Sequence, residues 1–199
     1  MLRKLMGCDM KLVITIHGVR SKKKNWQDEF KEYVKNSGRK DIYVVNYKYG
    51  FMPAFLSIFP FYQRHCIKKF SKWLKQYNLT PNKYIIAHSF GSFIGFHGSS
   101  DVEKLILFGS ILHCREDFNG IMPDRIKEIH NFHSLQDDVC RLNPIGHSGT
   151  WGIRCKNSKN NKWHRRPYKN KKIVNHRLFL PEHTEYFPQK FSDILRLLT

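Results

Sequence analysis

The stretch from Lys83 to Phe96 constrains this chain more than any other. It opens with an apolar run, Tyr84 to Ala87, that reads as a buried strand, and from Phe90 onward it reads as a helix rich in small residues. Ser89 lies between the two. Its neighbours two positions away are Ala87 and Gly91. A serine on a very tight strand-to-helix turn needs strained backbone angles, so those neighbours must be small. Such an elbow lifts the hydroxyl clear of the sheet. The helix behind it aims free N–H groups and its positive dipole end at the same point, where an oxyanion would be stabilised. The usual pattern is Gly-x-Ser-x-Gly, and Ala87 replaces the first glycine. An ordinary strand-to-loop turn also fits the pentapeptide alone, so its surroundings must decide.

Those surroundings alternate strand and helix. Lys11–Ile16 reads as a central strand that runs into His17-Gly18-Val19-Arg20. Residues 22–35 read as an amphipathic helix, with Trp26, Phe30, Tyr33 and Val34 at helical spacing. Asp41–Tyr47 is a second strand, Tyr49–Phe61 an aromatic loop, and Tyr62–Tyr77 a helix. After the elbow come strands at Lys104–Phe108, Ile126–Phe132 and Ile173–Leu180, then a closing helix over Glu182–Leu198. The spacing suits right-handed crossovers. It predicts an α/β fold: a mostly parallel sheet of about six strands with helices on both faces. Sites in such sheets form at the carboxyl ends of strands. Gly18, Ser89, Asp137 and His183 all fall there.

An activated serine needs a base, and the base needs an orienting acid. In chain order the candidates are Ser89, Asp137 and His183. Asp137 follows a strand in Ser134-Leu135-Gln136-Asp137-Asp138-Val139, and Asp138 is the second choice. Either aspartate also suits the cap of a following helix. His183, in Pro181-Glu182-His183-Thr184-Glu185-Tyr186-Phe187, has His176 as its rival, then His147. His88 adjoins the serine, but adjacent residues on a sharp turn point apart, so it reads as a packing or hydrogen-bonding residue. The histidines and cysteines show no metal-ligand spacing, and no phosphate-binding or dinucleotide loop is present, so neither metal nor cofactor is expected.

These pieces together resemble the α/β-hydrolase superfamily, in particular its small, capless lipase- and esterase-like members, and the resemblance covers nearly the whole chain. His17-Gly18 looks like the family's oxyanion-loop motif. Gly109-Ser110 after a strand, the later Ser-x-x-Asp-x-Val and the His-Thr-Glu-Tyr-Phe segment look like those members too. The resemblance implies a minimal α/β-hydrolase fold that starts at the family's third strand. It implies an oxyanion hole from the N–H groups of Phe90 and Val19. It also implies carboxylic ester or thioester hydrolysis through an acyl-Ser89 intermediate, with His183 as base and Asp137 as acid.

Charge bears on partners. Lys and Arg number 35 against 16 acids, a net charge of +19. This favours anionic surfaces: a membrane, an acidic partner or nucleic acid. From Val139 to Pro181 there are eleven Lys or Arg and no acid, and a basic loop insertion is expected around 154–172. Trp151, Trp163 and Tyr168 interleave with that charge. The competing reading is therefore an inactive hydrolase-fold binding protein that grips nucleic acid, anionic lipid or an acidic partner. The loop from Phe51 to Phe61 suits either an acyl chain or lipid interface, or plain core packing. Five cysteines without a Cys-x-x-Cys pair read as reduced thiols. With neither a signal-peptide pattern nor a membrane-length apolar run, they point to a single cytoplasmic domain over residues 1–199.

Overall fold

A computed structural model describes residues 10–19, 26–50, 53–113, 116, 118, 125–143, 146, 148–153, 172–179, 183, 186–187 and 190–199. The expected basic insertion, apart from residue 172, lies outside these, as do Phe51, Met52 and His147. So do Cys8, Cys114 and Cys155, while Cys66 and Cys140 form no disulfide among the described residues.

Six strands form one sheet: β1 (Lys11–Ile16), β2 (Ile42–Tyr47), β3 (Lys83–His88), β4 (Val102–Phe108), β5 (Ile126–Ser134) and β6 (Ile173–Leu178). Their order is β2-β1-β3-β4-β5-β6, and every neighbouring pair is parallel. The chain leaves β1 for β2 on one side and then crosses to β3 on the other. That reversal opens a crevice between the carboxyl ends of β1 and β3, where ligands bind in open α/β sheets.

Both faces of the sheet are covered, as the apolar runs of its strands require. Helices α1 (Trp26–Asn36) and α6 (Phe191–Leu197) cover one face. There Phe30, Val34, Phe191 and Ile194 pack with Val13, Ile86 and Ile106. Helices α2 (Pro60–Leu74) and α3 (Phe90–Gly98) cover the other, packing Phe70, Leu74, Ile94 and Phe96 with Ile14, Ile85 and Leu105. Two short helices, α4 (Asp138–Leu142) and α5 (Ser148–Trp151), follow β5.

Two expectations change. The closing helix was expected from Glu182 but begins at Phe191. Pro188 explains this, since a proline inside a helix lacks the N–H and clashes with the preceding turn. The aromatic loop is partly ordered: Ala54–Ile58 form a 3-10 turn, and α2 starts at Pro60, in the first helical position that suits proline.

Candidate active site

Ser89 has φ 55° and ψ −126°, a backbone state rarely open to a residue with a side chain. Strain of this kind costs on the order of 1–3 kcal/mol and persists only where the surroundings impose it. Here they do. Ser89 N–H donates to the Phe108 carbonyl at 3.0 Å, and Ser92 N–H donates to the Ser89 carbonyl at 2.9 Å. The need for small neighbours is also visible. A Cβ on Gly91 would lie 2.6 Å from the carbonyl oxygens of Ile16 and His17, because α3 starts directly against the end of β1. Ala87 has more room: a Cβ on Gly95 would still sit 3.6 Å from its methyl. That is why alanine is tolerated two residues before the serine.

Ser89 Oγ does not cap α3, so the first N–H groups of the helix, beginning at Phe90, are not satisfied by that hydroxyl. Gly18 closes the other side. A Cβ there would be 2.7 Å from Ser89 Cβ and 3.2 Å from its Oγ, so only glycine lets the β1 loop come so near. Val19 follows on that loop, half-buried against the core. The His17 ring stacks on Tyr49 with centroids 4.3 Å apart, and Tyr49 donates its hydroxyl to the His17 carbonyl. These contacts fix the loop.

Asp137 and His183 meet although they are 46 residues apart. His183 Nδ1–H donates to Asp137 Oδ2 at 2.8 Å. The other carboxylate oxygen accepts the Cys140 N–H at 2.9 Å, so Asp137 also caps α4. Tyr186 donates its phenol to Oδ2 at 3.1 Å. Burial alone would push the Asp137 carboxyl up. The bonds from His183 and Cys140 and the charge of His183 outweigh it, and the carboxyl lies below its ordinary value. With Nδ1 committed to the acid, His183 Nε2 is buried and has no hydrogen-bond partner among the described residues.

The His183 ring lies on the bare Cα of Gly109. A Cβ there would come 2.7 Å from His183 Cε1, and φ at Gly109 is +49°. Ser89 is bonded to the carbonyl of the residue before, Phe108. Ser89 and His183 therefore sit either side of one peptide junction. His88 completes the bracing: its Nε2–H donates to the His183 carbonyl at 3.0 Å, and the two rings lie 4.6 Å apart. Burial holds the His88 imidazole down at about 3, with the His183 charge adding to the effect, so it stays neutral.

The second-choice residues lie elsewhere. Asp138 is exposed and pairs with Arg141 at 2.9 Å. His176 sits on β6, stacked on Phe132 and bonded to His130 Nδ1 at 2.9 Å. Three supporting groups escape a reading of chain order. Tyr186 is one. Cys140, whose Sγ lies 3.7 Å from His183 Nδ1, is another. The third is a buried hydroxyl chain, in which Ser148 donates to Ser110, Ser110 to Ser92, and Ser92 to the Ser89 carbonyl.

The ligating atoms of Asp137, Cys140 and His183 lie within 4.8 Å of one another, close enough to share a metal ion. Asp137 is already bonded to His183, Cys140 and Tyr186, and burial raises the Cys140 thiol well above its ordinary range. The arrangement matches a hydrogen-bonded relay better than an open ligand set.

No family model matches the sequence, and no curated protein matches it. Solved structures do match in fold. Esterase PE8 is 16% identical with a TM-score of 0.59, over 98% of this chain and 95% of that one. XC6422 from Xanthomonas campestris, described as an a/b serine hydrolase without lid, is 12% identical with a TM-score of 0.51, over 96% and 81%. The putative alpha/beta hydrolase ATU1826 from Agrobacterium tumefaciens is 10% identical with a TM-score of 0.53, over 95% and 82%. At these identities the likeness is one of fold, and the chain has the α/β-hydrolase fold.

Proposed function

We propose that this protein is a serine hydrolase that cleaves carboxylic esters or thioesters through an acyl-enzyme on Ser89. The reading rests first on one observation: His183 bonds Asp137 through Nδ1 while its other nitrogen is buried and has no hydrogen-bond partner among the described residues, across the Phe108–Gly109 junction from a strained serine.

In this mechanism Ser89 Oγ attacks the acyl carbonyl as its proton passes to His183 Nε2. Asp137 holds the tautomer with the proton on Nδ1 and stabilises the imidazolium as it forms. The N–H groups of Phe90 and Val19 receive the oxyanion, and each donor of this kind is worth about 10²–10³ in rate. The tetrahedral intermediate collapses, Nε2 returns its proton to the departing alkoxide or thiolate, and the acyl group stays on Ser89. Water then attacks with His183 as base, releasing the acid and restoring the serine. No step calls for a metal or cofactor.

The fold neighbours include proteins described as esterases, which supports a small acyl ester as substrate class. We place the activity in the cytoplasm, where thiols such as Cys66 and Cys140 stay reduced. The test is turnover of p-nitrophenyl esters over a range of acyl lengths. Wild type should hydrolyse a subset and Ser89→Ala none, with unchanged circular dichroism. Equal turnover by both proteins would refute the reading. The rival reading of an inactive binding protein rests on the basic segment, which apart from residue 172 lies outside the described residues.

A further inference from the structure

From Ile42 to Ser100 the chain contains no Asp or Glu but seven Lys or Arg. Five of these, Arg64, Lys68, Lys69, Lys72 and Lys75, are exposed on α2 or just after it. The opposite side of α2 is buried through Cys66, Phe70 and Leu74. At helical spacing Phe61, Arg64, Lys68, Lys72 and Lys75 therefore share one outward face. None of the five cations makes an ion pair with a described residue.

The head of this face is apolar and open to solvent. Phe55 is 63% exposed, Ile58 44%, Phe59 41% and Phe61 68%, and the rings of Phe59 and Phe61 lie 5.8 Å apart. Isolated exposed apolar residues are ordinary, but four large ones within seven positions form a patch that calls for a partner. The patch follows the carboxyl end of β2. It thus lies on the sheet edge that carries Ser89, and Tyr49, at its approach, stacks on His17 beside Gly18.

We propose that residues 53–75 dock this protein on an anionic lipid bilayer. Phe55, Ile58, Phe59 and Phe61 enter the boundary between headgroups and acyl chains, while the α2 cations rest on lipid phosphates. Apolar tips joined to an uninterrupted basic face are the chemistry of interfacial binding. A nucleic acid would satisfy the cations but offers little to bury Ile58 or two phenylalanines flanking a proline. The inference goes beyond the hydrolase reading and stands without it. If both hold, docking turns the serine's edge of the sheet toward membrane-borne esters.

The experiment is co-sedimentation of the full chain with vesicles of phosphatidylcholine alone, or of phosphatidylcholine mixed with phosphatidylglycerol. Soluble-ester turnover and Tm are measured alongside. Wild type should bind the mixed vesicles, more weakly as salt rises. Phe55→Ser with Phe61→Ser, and Lys68→Glu with Lys72→Glu, should each weaken that binding by about tenfold or more. Neither pair should change Tm or soluble-ester turnover, since all four side chains are exposed. Two results would overturn the proposal: wild-type binding by both double variants, or wild type that binds single-stranded RNA and ignores both vesicles. Vesicle binding as described by a protein that hydrolyses no ester would leave docking intact and refute the hydrolase reading alone.

Discussion

Tyr186 donates its hydroxyl to the same oxygen of Asp137 that accepts the proton-bearing nitrogen of His183. Burial, together with the Asp137 charge, drives the Tyr186 phenol far above its ordinary range, so it remains a donor. Tyr186 lies three positions after His183, so its bond to Asp137 anchors the segment that carries the histidine. Tyr186→Phe should keep Ser89 reactive but lower kcat about three- to tenfold with little change in KM. It should also cost about 1 kcal/mol of stability, the usual worth of one buried hydrogen bond. Steady-state kinetics and thermal melts check both.

The two adjacent aspartates should behave very differently. Asp137→Asn removes the carboxylate that orients His183, and kcat should fall by about 10³–10⁴. Asp138→Asn loses only an exposed pair with Arg141, worth at most about 1 kcal/mol and nothing in rate. Equal losses in kcat would contradict the assignment of Asp137 as the acid.

His88 gives the fold a specific acid sensitivity. Its native value is about 3, while in the unfolded chain it titrates at about 6.5. Between those limits the unfolded state binds the proton and the native state does not. Stability from this group is complete above about pH 6.5 and is lost as pH falls toward 3, at up to about 1.4 kcal/mol per pH unit. Denaturant unfolding of His88→Gln should show a shallower decline over that window than wild type. Parallel slopes would mean that His88 is protonated in the native protein.

Gly109→Ala tests the junction between the serine and the histidine. The new methyl would meet the His183 ring at 2.7 Å on a backbone already at φ +49°. A shift of about 1 Å in a catalytic group can cost about 100-fold. We expect kcat to fall by about that factor, with a loss of about 1–2 kcal/mol in stability from the strained backbone. Kinetics and calorimetry on the same preparation separate the two effects.

The placement of Ser89, Asp137 and His183 after strand ends was legible in the sequence, because a parallel sheet gathers those ends on one edge. Composition around Ser89 also announced the turn, since Gly91 has to fit against the carbonyls of β1. The choice between Asp137 and Asp138 was less legible. Both can cap a helix, and only the fold shows that the capping residue is also the one facing His183. Tyr186 and the Ser148–Ser110–Ser92 chain carry no local pattern. Their partners are remote in sequence and become neighbours only when β4, β5 and α3 pack together. The late start of the last helix was readable from Pro188, and the apolar periodicity that begins at Tyr186 masked it.

The most direct test of the central claim is labelling with a fluorophosphonate probe, followed by mass spectrometry of the tagged peptide. Wild type should carry the tag on Ser89, with labelling abolished in Ser89→Ala, strongly reduced in His183→Ala and retained in His176→Ala. A folded wild type that takes no label across a range of pH, or a tag that survives in Ser89→Ala, would contradict the account.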